Sequence, residues 1–447
     1  MGGGHIQLIA LGAQDMYLTG NPQISFFKAI YRKHTNFSIE CIELAHTGAV
    51  TENEGILNFN ISRHGDLLYK TYLEIDLPHQ SRIKSAVDYA KYCNSTANAL
   101  IKQIDMEIGD KLIDRHYGQW YDLRNEIYDI NQQVNESYLT NKHTDLNGYL
   151  RSKDIKPDGS PPPLKTYLPF HFWFCENPGL SLPLIALQFH QVDFKVYYRS
   201  IKNIINGANI TESDGSTILN HNLRFFTLSP PEIKLWANYI YLDTDERKRF
   251  AQSSHEYIIE QLQLNENLLS NEISLKFNHP VKELFWVFQH NTIKEETFDV
   301  REMDTTLNDP NNADFGTMKN DFLNYDTNIT SFRSFVNDNQ VNEHFNKAKI
   351  VINGVDRFNP QPAVYFRSIL PYNHNHNIPL KCIYMYSFAL NPEDYQPSGS
   401  LNFSKIDSAS LLFLDGTVDS NYTISVYALN YNVLRIMSGM GGLLFSN

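Results

Sequence analysis

Apolar and polar residues alternate with a period of two along much of this chain, the spacing of a strand that buries one face. In "LLYKTYLEIDLP", Tyr69, Thr71, Leu73, Ile75 and Leu77 fall on one side and Lys70, Tyr72, Glu74 and Asp76 on the other, until Pro78 ends the run. "QVDFKVYYR" repeats the pattern, with Val192, Phe194, Val196 and Tyr198 against Asp193, Lys195, Tyr197 and Arg199. "ISLKF" and "TISVYALNYNVL" carry it into the second half. Between such runs lie clusters of turn residues such as "KPDGSPPPL" and "NPEDYQPSGS", which leave few places for long helices. The pattern predicts an all-β, many-stranded sandwich.

Two stretches read as helix. Asn21 before Pro22 has the chemistry of a helix entrance, Ile24, Phe27 and Tyr31 then recur on one face, and Arg32, Lys33 and His34 suit the last turn. This predicts a helix over about 22–33, too short to be stable alone, whose aromatic face docks on its own domain or on a neighbouring subunit. Residues 114–140 read as a second helix followed by a polar loop. Residues 303–346, rich in Asn and Asp, read as a long insertion that forms a surface tower. The segment "MEIGDKLIDRHYGQWYDL" echoes "IVINGVDRFNPQPAVYFRS" about half a chain later, each placing a strand, a Gly turn and an Asp-Arg pair before an aromatic segment. A tandem duplication predicts that spacing. The expected organisation is an N-terminal segment 1–37, a first domain 38–220 and a second domain 221–447, with the change of domain in the loop-like stretch 215–230.

Composition narrows the class. At 447 residues, with 42% hydrophobic and 13% aromatic residues, the chain has ample material for two cores. The formal net charge is −12, and no run of five basic residues occurs, so a direct grip on nucleic acid is not expected. Arg32-Lys33-His34 and Arg247-Lys248-Arg249 are read as helix ends or solvated loops. Cys41, Cys93, Cys175 and Cys382 show no CxxC spacing and are expected to be reduced thiols. The N-terminus lacks the basic start and apolar stretch of a signal peptide, and no run of 18 apolar residues occurs, so neither secretion by that route nor a membrane span is expected. Gly2 resembles a myristoylation start, but Ile6 stands where Ser or Thr is required.

Candidate chemistry is sparse. No phosphate-binding loop, HExxH or GxSxG is present. His374-Asn375-His376 has the spacing of two metal ligands on a strand, yet its turn-like context favours an exposed loop. His171, Glu176 and His190 lie among aromatics and read as core or interface groups, and Glu74 and Asp76 as solvated charges. No cofactor, metal or catalytic residue is expected. Asn209, Asn328 and Asn402 belong to a set of eight Asn-x-Ser/Thr sequons and are the glycosylation candidates, although without a secretory signal they imply no ordinary glycosylation.

The stretch from Gln7 to Phe37, containing "GAQDMYLTGNPQISFFKAIYRKHTNF", resembles the N-terminal signature of the major capsid proteins of nucleocytoplasmic large DNA viruses. The resemblance continues through "RHGDLLYKTYLEIDLP", "PFHFWFCENPGLSLPLIALQFHQV", "QPSGSLNFSKIDSASL" and "YALNYNVLRIMSGMGGLLFSN", in order from end to end. It implies two tandem eight-stranded antiparallel jelly rolls, a homotrimer with a pseudo-hexagonal outline, and trimers that tile an icosahedral virion shell over an internal lipid membrane. It further implies lateral trimer contacts, minor capsid and penton proteins as partners, and assembly in the host cytoplasm. In that family the N-terminal segment faces the shell interior, which makes Asn21, Pro22, Ile24, Phe27 and Tyr31 part of an inner assembly foot. The alternatives are a transient scaffold that shapes the viral membrane, a cupin-like metal enzyme built on His374 and His376, and an added carbohydrate-binding role of the outer loops.

Overall fold

A computed structural model describes residues 3–78, 81–82, 90–128, 139–140, 163–208, 210–211, 217–218, 225–227, 229–291, 302–303, 322–325, 343–379, 381–415 and 420–445. The chain divides into two compact units, Met1–Phe37 and Ser38–Asn447.

The first unit contains two short helices, α1 Gly3–Ile9 and α2 Met16–Thr19, neither with a buried residue. The helix expected over 22–33 is absent; those residues form a turn at 26–28 and otherwise no regular structure. Asn21 sits in the left-handed region at φ 51°, not in the extended conformation of a helix cap. Ile24, Phe27 and Tyr31 are 69%, 99% and 91% exposed. A helix of about twelve residues is marginal in water, and no burial of this face compensates for the cost of nucleating it.

The second unit holds two sandwiches with one strand order. In the first, one sheet runs β1 (Phe37–Leu44), β8 (Glu232–Leu242), β3 (Leu67–Leu77), β6 (Leu164–Pro169), and the facing sheet runs β2 (Gly55–Asn60), β7 (Val192–Tyr198), β4 (Ile101–Ile108), β5 (Lys111–Tyr117). In the second, the sheets run β9 (His255–Leu268), β16 (Tyr422–Met437), β11 (Pro280–His290), β14 (Ile383–Ser387), and β10 (Glu272–Ser274), β15 (Ala409–Leu414), β12 (Lys347–Ile352), β13 (Val355–Asp356). Each strand of the first sandwich has its counterpart eight strands later, in the same place in its sheet. The ladders from β8 through β3 to β6 and from β9 through β16 and β11 to β14 are antiparallel. This is the double jelly roll.

The period-two runs are strands, and their apolar side is the core: Thr71, Leu73, Ile75 and Leu77 of β3 and Val192, Phe194, Val196 and Tyr198 of β7 are all buried. The sequence echo also has a structural basis. It marks the β4–β5 and β12–β13 hairpins, which turn through Gly109-Asp110 (φ 57° and 62°) and Asn353-Gly354 (φ 48° and 78°). Two consecutive left-handed residues match the twist of the flanking strands and favour Gly, Asn and Asp.

The change of sandwich lies later than the loop-like stretch 215–230 suggests. β8 completes the first sandwich, pairing Glu232 with Asp76 and Leu235 with Leu73. Its partner lies far back in the chain, so turn chemistry before β8 marks a long connection within the first sandwich and not its end. Helix α5 (Thr244–Gln252), with Arg247 and Arg249 in its last turns, leads into β9. Most of the 303–346 insertion lies outside the described residues. Its entry, Glu302–Met303, pairs in parallel with Gly207 and Ala208 of the first sandwich's loops.

Helix α4 (Gly118–Ile127) follows β5 directly, as the expected helix of 114–140 begins, and the residues beyond 128 lie largely outside the described set. At Gly118 the chain passes so close to helix α3 (Thr96–Leu100) and its exit that an added Cβ would collide with the carbonyl oxygens of Asn98 and Ile101. Gly118→Ala is therefore expected to destabilise the protein by about 1–3 kcal/mol in a denaturant titration, whereas Gly354→Ala, with open space around it, should cost less despite its positive φ.

Candidate functional site: the joint and the exposed segments

Helix α4 belongs to the first sandwich by chain order but packs into the second. Trp120 stacks obliquely on Phe285 of β11 and Tyr427 of β16, with ring centres 5.4 and 5.7 Å away. That explains why β11 lacks alternation: one face looks into its own sandwich and the other meets α4, so that all of Val281–Gln289 is buried. A single continuous core therefore runs through both sandwiches.

Polar groups on α4 are matched from the second half. The fully buried Asp122 accepts hydrogen bonds from Ser95 Oγ (2.9 Å), Tyr325 OH (3.1 Å) and Lys381 Nζ (2.5 Å). Tyr427 OH donates to Gln119 Oε1 at 2.7 Å, and Gln119 Nε2 donates to Gln289 Oε1 at 3.3 Å. The carbonyls left open at the helix C-terminus accept from Asn377, whose backbone N–H reaches Ile127 O (2.7 Å) and whose side chain reaches Tyr128 O (2.8 Å). Below α4, the backbone N–H of Leu262 donates to Asp114 Oδ1 at 3.0 Å, and Gln261 donates to Ile113 O.

His376 closes this joint. Its ring nitrogens lie 2.9 Å from Glu283 Oε1 and 2.7 Å from Glu393 Oε1, and Tyr128 OH donates to the other Glu283 oxygen at 3.1 Å. Burial alone lowers the imidazole pKa, but hydrogen bonds from Glu283 and Glu393 and their charges outweigh it and raise it to about 9. The His-x-His pair is thus divided, in contrast to the expected loop with two exposed histidines. His376 is buried between two carboxylates, while the half-buried His374 has its Nδ1 3.1 Å from the carbonyl oxygen of Leu390. Among the described residues no group of three or more ligating side chains is arranged to hold a metal ion.

The remaining sequence candidates also serve packing. Glu176 accepts from His171 Nδ1 (2.9 Å) and Arg124 Nη2 (3.1 Å). Burial raises its carboxyl pKa, but the Arg124 charge and the His171 hydrogen bond overcome this and hold it well below the usual carboxylate range. His190 Nδ1 lies 3.0 Å from the carbonyl oxygen of Gly441, tying the strand β17 (Met440–Leu443) to the first sandwich. Glu74 pairs with Lys165 (2.6 Å) and accepts from Trp236 Nε1 (3.0 Å) on an outer sheet face. A cleft of about 250 Å³ opens beside α4, lined by Trp120, Arg124, Glu176, Lys282, Glu393 and Tyr431. Its cations are engaged by Glu176 and, at 2.5 Å, Lys282 by Glu260. Cys93, Cys175 and Cys382 are buried and Cys41 is exposed, and none of the four is in a disulfide.

Of the glycosylation candidates, Asn402 is exposed beside β11, with its side-chain oxygen accepting from Ser404 N at 3.0 Å; Asn209 and Asn328 lie outside the described residues. Asn21, Pro22, Ile24, Phe27 and Tyr31 are all exposed, together with Leu8, Leu11, Tyr17, Leu18, Phe26 and Ile30 of the same unit.

The joint makes stability depend on pH with a definite sign. The His376 pKa is raised on folding from 6.5 to about 9, so its contribution is complete below pH 6.5 and is lost as pH rises through 9. Melting curves are expected to show falling stability between those values, on the order of 3 kcal/mol in all, and His376→Gln should remove most of that slope. His376→Ala, which leaves Glu283 buried without its partner, is expected to cost about 3–5 kcal/mol.

Comparison with known proteins agrees with this architecture. Residues 25–243 match the family "Major capsid protein N-terminus", and residues 246–442 match "Large eukaryotic DNA virus major capsid protein". The two matches meet where β8 ends and α5 begins. The major capsid protein of Pyramimonas orientalis virus is 37% identical, with 100% of both chains covered. That of Paramecium bursaria Chlorella virus 1 is 35% identical, again over 100% of each. Among solved structures, the PBCV-1 virus capsid gives a TM-score of 0.72 at 30% identity, covering 95% of this chain and 100% of that one. The Faustovirus major capsid protein shares the fold, with a TM-score of 0.71 at 14% identity over 96% and 94% of the two chains. With both sandwiches matched from end to end, the chain belongs to the structural major capsid proteins of large eukaryotic DNA viruses.

Proposed function

We propose that this protein is the repeating tile of an icosahedral shell: a homotrimer with a pseudo-hexagonal outline, laid side by side over an internal membrane after synthesis in the host cytoplasm. The observation that carries this reading is the tandem pair of sandwiches with one strand order. Two similar domains per chain give a closed ring of three chains six similar sides, so one gene product meets six neighbours. Contacts within the ring are identical by symmetry, whereas contacts between rings must accommodate several angles on a curved shell. The former should be extensive and apolar, the latter smaller and wetter.

The unit Met1–Phe37 is proposed as the inner foot, with Asn21, Pro22, Ile24, Phe27 and Tyr31 in its contact surface and minor capsid proteins, penton proteins or the membrane side as partners. Its support is chemical. Large apolar side chains are concentrated there in exposed positions, at a density that soluble chains rarely leave uncovered. A net charge of −12 gives no support to direct packaging contacts with nucleic acid.

Native mass measurement of the purified chain is expected to give a trimer; a stable monomer that never assembles would refute the tile. Deleting residues 1–20 is expected to leave soluble trimers but reduce shell yield, and undiminished particle yield would remove the foot from the account.

A further inference from the structure

Strand β1 is an edge. Among the described residues it pairs only with β8, which leaves one row of backbone N–H and C=O groups along eight residues without a ladder. It is also poorly covered: Phe37 and Ile39 are 53% and 50% exposed, Ser38, Glu40, Cys41 and Glu43 are exposed, and only Leu44 is buried. Folded proteins usually protect such an edge by shortening it, adding proline or placing a charge on it, because it is a template for another strand. β1 is neither short nor interrupted by proline. Its charges, Glu40 and Glu43, share one sign. They disfavour a second β1 and select a basic strand.

The chain supplies one. Residues 25–36 carry Lys28, Arg32 and Lys33 with no acidic residue and no proline, and expose Phe26, Phe27, Ile30 and Tyr31. With Phe27 set opposite Cys41 in antiparallel register, Lys28 falls opposite Glu40, Phe26 opposite Ile42 and Tyr31 opposite Phe37. The charge pair and the apolar pairs then come from one alignment, the arrangement that stabilises neighbouring strands.

We propose that residues 25–36 of one copy add as an antiparallel strand to the open edge of β1 in a second copy. The inference rests on the self-association proposed above and deepens the foot by naming what part of it holds. Each copy gives one strand and receives one, so the exchange closes around a ring.

The test uses the full-length chain, with single cysteines placed in turn at positions 26–31 and native Cys41 as the reporter, since the other three thiols are buried. After mild oxidation of the oligomer, Phe27→Cys is expected to give a disulfide between chains that disappears when Cys41→Ser is added. Lys28→Cys, which faces the opposite side of the strand, should link far less. As a second measurement, Lys28→Glu should lower the yield of oligomer at least several-fold, and adding Glu40→Lys should restore it. A link within one chain, the absence of any link in an intact trimer, or failure of the charge exchange to rescue overturns the strand addition while leaving the tile untouched. A chain that stays monomeric overturns both.

Discussion

A buried charge must be neutralised where it is buried, and the joint between the two sandwiches is built around that constraint. Asp122 and Glu283 have no exposure, and each is balanced by a cation delivered from the second half of the chain, Lys381 for one and His376 for the other. Replacing such groups by apolar ones would often be neutral for stability alone. What the ionic arrangement adds is direction: Asp122 accepts from three donors on separate segments, so the helix that carries it has one seat. The apolar contacts of Trp120 with Phe285 and Tyr427 supply burial, and the polar contacts choose the orientation in which it occurs.

This rigid coupling matters for a repeated fold. Two sandwiches joined only by a linker would turn against each other, and the capsid protein would have no single outline. Here α4, the Asn377 bonds to its carbonyls and the His190 contact to β17 tie the halves at several separate places. The common strand order gives each half similar flanks, while the joint fixes the relation between them.

How much of this was legible depends on where each residue finds its partner. Strands β3 and β7 were readable because each has one wet and one dry face, and the β4–β5 and β12–β13 hairpins because their turns demand Gly, Asn or Asp. β11 was not, since burial on both sides erases the alternation. The joint escaped for a related reason: in "GQWYDLRNEI" the polar Asp122, Asn125 and Glu126 are as buried as Trp120, and nothing local says that Tyr325 and Lys381, two of the partners of Asp122, wait beyond residue 280. Its traces are His190, which reads as a core or interface group and does tie the halves, and the His-x-His pair, of which only His376 enters the joint. The helix expected at 22–33 shows the converse error. Its capping and periodicity are local signals, but a short helix is decided by what it packs against, and Asn21 takes a left-handed backbone instead.

The placement of β8 and β16 beside the first strand of their respective sandwiches has a consequence for how the polypeptide is made. In each half the last strand is inserted between the first and the third, so neither sheet can be finished until its final residues have left the ribosome. Contacts of this separation are slow to form. The break at α5, however, divides strand pairing into two separate closures, so the earlier half can finish its sheets before the later one emerges, leaving only the seating of α4 to wait.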